Sequence, residues 1–276
     1  MPTRVGSGRT ARSEGGSVYV QGAINAAQVH AGRDVEVRGP LTNRRKGWCT
    51  AGADIRAQLV DNSLLFARGN VQVAKEVVQS DLFACGSIQA TALRGGITVA
   101  TGGVDIKTLG SPAWVRTLVV AGYDWMLPVI LKPVLSAAAE LAEDLKRRLE
   151  AVGTLRANSK RLTNQQKEDL TELEFVLAEQ ADKLKDVQAR IDEVRRLSAE
   201  RSLAVVKVRG EVYPGVELRL GNLSTTTAMR MAGPVSFQVL GSGSQAVIAA
   251  VEEGTRPMPL PSRRLPDPMA GIAPPS

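Results

Sequence analysis

Large rings and reactive side chains are scarce in this 276-residue chain: aromatics make up 4%, and it contains one histidine, His30, and two cysteines, Cys49 and Cys85. One histidine cannot build a multi-histidine metal centre. Two cysteines cannot complete a four-cysteine zinc site or a disulfide-dense secreted scaffold. Long hydrophobic runs are also missing, since the most apolar stretch, TLVVAGYDWMLPVIL, is broken by Asp124 and Pro128, so no membrane span is expected. The N-terminal MPTRVGSGRTARSEGG has no apolar segment of the signal-peptide kind. These absences predict a cytoplasmic protein with reduced thiols. The net charge of +7 is spread along the chain. Its densest basic run, Arg44-Arg45-Lys46, has no interleaved aromatics and is expected to be a solvated loop, so nucleic acid is not an expected partner.

The chain is rich in glycine, with 26 of them, and 43% of it is hydrophobic, so its core must be filled by small and β-branched side chains. Cutting before Gly16, Gly32, Gly52, Gly69, Gly86 and Gly102 exposes a repeat of sixteen to twenty residues. A turn-former follows each glycine within one or two residues: Ser17, Asp34, Asp54, Asn70, Ser87 and Gly103. A strand with period-2 alternation comes next. Its first inward position reads Val18, Val35, Ile55, Val71, Ile88, Val104, and its second reads Val20, Val37, Ala57, Val73, Ala90, Ile106. Between them the outward position is mostly polar: Tyr19, Glu36, Arg56, Gln72, Gln89, Asp105. Such columns call for coils stacked at about 4.8 Å, because a lone strand of this kind could not hide its apolar face. A second apolar patch recurs late in each repeat at Val29, Trp48, Leu64 to Phe66, Leu82 to Phe83 and Ile97 to Val99. With corners so frequent, a three-faced parallel β-solenoid over residues 16–130 is predicted, and TNRRKG is read as a loop on one corner.

From Leu131 the period changes. Leu131, Leu135, Ala138, Ala142, Leu145, Leu149 and Val152 are spaced alternately four and three, the seam of a coiled coil, with Pro133 expected in the first turn. A second seam runs through Leu170, Leu173, Leu177, Gln180, Leu184, Val187, Ile191 and Val194. The break between them contains Gly153, which weakens the first helix, and Thr163 or Asn164 as a cap for the second. Residues 131–201 are therefore predicted to form an antiparallel coiled-coil hairpin projecting from the solenoid. Residues 202–251 return to strands around Tyr213-Pro214-Gly215 and rejoin the solenoid. The first fifteen residues are read as a disordered leader, and residues 252–276, with seven of the fourteen prolines, as a disordered tail.

Candidates for chemistry are few, and each has a structural explanation. A single histidine acting as general base occurs in stacked-coil acyltransferases. Those follow a strict six-residue period, whereas first inward positions here are 16 to 20 residues apart, so His30 is expected on the surface. Cys49 and Cys85 fall where small side chains recur and read as small hydrophobes. Asp34 and Asp54 sit in glycine corners, where hydrogen bonding explains them better than calcium. In Tyr213-Pro214-Gly215, proline sets φ and glycine supplies positive φ, so the expectation is a structural turn. Gln180 is the polar residue of the second seam and is read as setting register or as a satisfied polar group. No catalytic, cofactor or metal site is assigned.

Taken together, the glycine-led repeats, RGGITVATGGVDIKTLGSPAWVRTLVVAGYD, the helical hairpin broken near LTNQQ, and VKVRGEVYPGVELRLGN resemble the bacterial flagellar assembly protein A family from about Gly16 to Gly243. The most specific pieces are GEVYPGV at 210–216 and LGS at 109–111. The resemblance implies a right-handed β-helix interrupted by a coiled-coil hairpin, a role in flagellum assembly or cell-pole organisation, and no established catalytic site. Fuller members carry a separate N-terminal domain where this chain has its leader. The expected function is a non-enzymatic scaffold whose arm or solenoid surface binds proteins and which can form a homo-oligomer; the alternative is a self-assembling β-solenoid filament, stacked through solenoid ends, or an envelope scaffold.

Overall fold

The computed structural model describes residues 8–157, 163–252 and 254–272. It divides into two compact units, Met1–Trp125 with Arg201–Ser276, and Met126–Glu200. Among the described residues no helix is long and apolar enough to cross a membrane.

The first unit is a β-solenoid of about seven turns whose strands build two long sheets. Strands that follow the glycine corners form one sheet, here the front, and strands late in each repeat form the back. In the front sheet Val18, Val35, Ile55, Val71, Ile88, Val104 and Val206 pair in parallel register, as do Val20, Val37, Ala57, Val73, Ala90, Ile106 and Val208. The residues between them also stack, from Tyr19 to Asp105 and on to Lys207. Both columns read from the sequence are thus real. At roughly 1.5–3 kcal/mol per buried aliphatic side chain they are a principal source of stability.

The structure adds a third column. Most front strands shift register in the middle and bend, and their second halves bury Ile24, Leu41, Val60, Val77, Leu93, Leu109 and Val212 in one line. The back sheet is built on the late patch: Val29 stacks on Cys49, then Leu65, Leu82, Thr98 and Val119, and only in the second repeat does the residue differ, Cys49 taking the core position with Trp48 one residue away. Along the corner, Ala31, Ala51, Ala67, Ala84, Ala100 and Ala121 stack as a buried column.

The glycine corners have a different cause from the one expected. A Cβ on Gly52 would lie 2.1 Å from the Gly32 carbonyl oxygen, and one on Gly32 would lie 1.8 Å from that of Glu14. Backbone passes against backbone there, and only glycine leaves the room. Beside it the turn-formers are stitched coil to coil. Asp34 Oδ1 accepts the Asp54 amide (3.2 Å), Asp54 Oδ1 accepts the Asn70 amide (2.8 Å), and Asn70 Oδ1 accepts the Ser87 amide (2.9 Å). At the opposite corner Ser63 and Ser80 repeat one arrangement, donating to the carbonyl two residues back and accepting an amide of the preceding coil.

The strand Val205–Val212 docks in parallel beside Val104–Leu109, although the second unit is inserted between them in sequence. Arg209 Nε reaches Asp105 Oδ1 at 2.8 Å across 104 positions. After Val216–Leu220 the stack changes character. A two-residue turn at Gly221-Asn222 leads to the antiparallel strand Leu223–Thr226, and Val235–Leu240 and Val247–Glu252 close the front sheet, also antiparallel.

Both termini correct the sequence reading. Thr10–Ser13 of the supposed leader pairs in parallel with Gln28–Ala31 and starts the back sheet, while residues 1–7 lie outside the described residues. Residues 254–272 of the proline-rich tail are built into the fold: Met258–Pro259 pairs with Ala249–Ala250, Arg263–Arg264 pairs with Leu223–Ser224, and Met269 and Ile272 are buried. Composition pointed to disorder because prolines cannot donate to a ladder. Here the tail needs few such bonds, because Arg219 grips it. That side chain is 7% exposed, its Nε bonds Glu217 at 2.9 Å, and its Nη1 donates to the carbonyls of Pro268 and Ala270, each at 2.8 Å. Residues 273–276 lie outside the description.

The second unit is a hairpin of two contacting helices, α1 (Met126–Ala157) and α2 (Asn164–Arg201). α1 starts five residues earlier than expected, so Pro128 occupies the first turn and Pro133 lies inside, leaving the Val129 carbonyl without its intrahelical donor. Gly153 does not end it. Thr163 caps α2 through a reciprocal box: its Oγ1 accepts the Gln166 amide (3.3 Å) and Gln166 Oε1 accepts the Thr163 amide (2.9 Å). The rest of the predicted break, 158–162, lies outside the described residues. Leu145 and Val152 pack with Leu177, flanked by Leu170, Ala181 and Leu184.

Candidate functional site

The two segments that carried the family resemblance are 100 residues apart in sequence and adjacent in space. The loop following Leu109 packs against the Tyr213-Pro214-Gly215 turn, whose first amide donates to the Leu109 carbonyl at 2.8 Å. Gly110, at φ +84°, has no room for a side chain: a Cβ would lie 2.7 Å from Val216 Cγ2 and 3.2 Å from Tyr213 Cβ. Gly215, also at φ +84°, forms the turn as expected and has a second duty, since its missing side chain would lie 3.1 Å from the Trp114 ring. The indole therefore rests on Gly215. Thr227 locks the turn from below, donating to the Tyr213 carbonyl at 2.9 Å and accepting the Val216 amide at 3.0 Å.

Trp114 stands out on this surface. Its φ is +55°, a left-handed conformation that costs a bulky residue energy, and its side chain is 67% exposed. The Ser111 carbonyl accepts its amide at 3.1 Å, and Ser111 Oγ accepts that of Ala113 at 3.2 Å, so the loop is held in this strained form. Beside the turn, the Tyr213 hydroxyl donates to Glu211 Oε2 at 2.8 Å. Arg230 Nη2 meets Glu211 Oε1 at 2.5 Å, and its guanidinium carbon stands 5.4 Å from the Tyr213 ring centroid. These donors hold the Glu211 carboxyl below its ordinary value, and the same carboxylate pushes the Tyr213 phenol up. Tryptophan, tyrosine and arginine held by a stiff backbone are residue types that dominate protein interfaces.

The other candidates are scattered. His30 lies on the outer face of the back sheet, its Nδ1 2.7 Å from Thr50 Oγ1 and its Nε2 4.0 Å from Glu14. Cys49 is in the core and Cys85 is half-buried. Burial pushes both thiols up to about 12, with Asp124 adding to the effect at Cys85. A thiol in that range carries almost no thiolate at neutral pH and is a poor nucleophile. The carboxylates of Asp34 and Asp54 are occupied by the corner amides, and among the described residues no group of acids, cysteines and histidine is arranged to hold a metal. Arg44 and Arg45 sit on the expected corner loop, both at positive φ, with Arg45 3.7 Å from Asp81.

The chain matches the flagellar assembly protein A beta solenoid domain over residues 5–244. It belongs to that family. The matched span takes in the solenoid, the inserted hairpin and both converging loops, so the resemblance carried by 109–111 and 210–216 is confirmed at family level. No curated protein and no solved structure matches the chain. The Tyr213 turn is structural, as its residues predict, and also supports Trp114, which no periodic pattern in the sequence singles out. A usable signal was present, for a tryptophan in the loop Ser-Pro-Ala-Trp of an aromatic-poor chain is a costly residue to leave in a turn.

Proposed function

We propose that this member of the flagellar assembly protein A family is a non-enzymatic cytoplasmic scaffold in flagellum assembly or cell-pole organisation, and that partner proteins dock on the surface built by Trp114, Tyr213 and Arg230. The observation that carries this reading is the exposed indole on a strained backbone, supported from beneath by Gly215. A chain that needed only to fold would not hold a large ring in water on a left-handed residue. The occupied corner carboxylates, the protonated thiols and the dispersed positions of His30, Cys49 and Cys85 support a binding role over a catalytic one. A filament of stacked solenoids needs an open strand edge. The antiparallel strands and the two-residue strand containing Pro259 blunt the C-terminal end, which favours a discrete scaffold.

The test is genetic and biochemical. In a flagellated host, Trp114→Ala with Arg230→Ala should impair motility or flagellar placement while the protein stays folded and abundant. His30→Ala combined with Cys49→Ala and Cys85→Ser should be tolerated. Normal motility on complete deletion would remove the flagellar role, and loss of function in the triple variant with folding intact would restore an enzymatic reading.

A further inference from the structure

The hairpin's seam leaves apolar side chains exposed on both of its flanks, Leu135 and Leu149 on one and a longer row on the other. Leu145 and Val152 of α1 and Leu177 of α2 are buried together with Leu170 partly covered, and these positions are seven residues apart on each helix. With them turned inward, the position three residues later lies about 60° to one side, at 100° per residue. Because the helices run in opposite directions, this offset falls on the same face of the hairpin for both. That face holds Val134, Leu141 and Leu155 from α1, with Arg148 between the last two, and Leu173 and Val194 from α2, all exposed. Gln180 lies on it too, with Oε1 buried and no hydrogen-bond partner among the described residues.

Beyond the ion pair that the two stretches make within one hairpin, Arg156 Nη1 to Glu174 Oε1 at 3.7 Å, charge favours a second copy as the cover of the face. The near balance of the hairpin conceals a separation: residues 146–157 of α1 contain four basic side chains and one acidic, and residues 164–179 of α2 contain five acidic and one basic. We infer that two copies of this chain pair through this face, hairpin against hairpin with tips at the same end, so that each α1 lies beside the α2 of the other copy in a four-helix bundle. This two-fold arrangement sets the basic stretch of one copy against the acidic stretch of the other. An end-over-end arrangement would place α1 beside α1 and lose the match. It also brings the two Gln180 side chains to the same level, where an amide, both donor and acceptor, can bond its own copy.

Light scattering of the full chain across a concentration series is the first measurement, and a mass twice 29.4 kDa is expected. Leu141→Glu with Leu173→Glu should return the mass of one chain while the helical circular dichroism is kept. Reversing charge on α1 (Arg147→Glu, Arg148→Glu) or on α2 (Glu168→Lys, Glu172→Lys) should weaken the dimer in each variant alone, and mixing the two should restore it as a heterodimer. Gln180→Cys in a Cys85→Ser chain should form a disulfide-linked pair under mild oxidation, which decides the matter even if the glutamate variant folds poorly. A single-chain mass up to about 100 μM, or a dimer indifferent to the face and charge variants, overturns the inference.

Discussion

The solenoid and the hairpin solve the same problem with unequal success. In the solenoid each inward side chain has a neighbour in the coil on either side and others across the coil, so seven successive residues of the third column, Ile24 to Val212, are all essentially inaccessible. In the hairpin Leu145, Val152 and Leu177 are buried, while Leu149 remains 48% exposed and Leu135 and Leu173 are also open. Two cylinders touch along a line, whereas a coil encloses an interior. A regular seam in sequence therefore does not guarantee a closed core.

The largest expected effect is on the solenoid side of this contrast. Val71→Asp puts a charge at a fully buried position flanked by Ile55 and Ile88 and should cost several kcal/mol, about 3–5, leading to unfolding or aggregation. Gln72→Asp, one residue along and facing solvent, should fall within about 0.5 kcal/mol of the parent in urea denaturation. Equal loss in both would refute the assigned faces. Next in size is the hairpin core, where Leu145→Ala should cost about 2–5 kcal/mol of helical stability and Leu149→Ala below about 1, read as separate melting of the 222 nm signal.

Replacing residues 126–200 with a short flexible linker sharpens the comparison differently. The expected product keeps its β signal and loses its helical one, because Val205–Val212 still finds its register beside Val104–Leu109. Collapse of both signals would show that the two units fold as one. Arg219→Ala should act more locally, leaving Glu217 and the carbonyls of Pro268 and Ala270 without their donor at a cost of about 1–3 kcal/mol. Rapid proteolysis after Arg263 or Arg264 would report release of the tail.

The smallest effect is electrostatic. Glu211 is held below its ordinary 4.5 by Tyr213 and Arg230, so its contribution is complete above that value and is lost as pH falls through the depressed one. Tyrosine fluorescence should show the Tyr213 contact persisting at pH 5 and breaking in stronger acid, and Glu211→Gln should flatten that transition.

Much of the fold was legible because it is periodic. The columns from Val18 to Val104 and from Val20 to Ile106, the seam through Leu145 and Leu177, and the Thr163 cap each repeat or close within a few residues, so sequence distance stands in for spatial distance. Gly221-Asn222 was a readable hairpin signal as well, and its neglect hid the antiparallel end of the stack. The sequence by itself thus determined stacked coils, an inserted pair of helices and the scarcity of catalytic groups. Tertiary structure decided the rest: that glycines mark backbone passing against backbone, that Arg219 captures a tail composed like a disordered one, and that the loop bearing Trp114 meets the turn bearing Tyr213. These depend on which coil lies next to which, across an insertion of some seventy residues, and no local pattern encodes that adjacency.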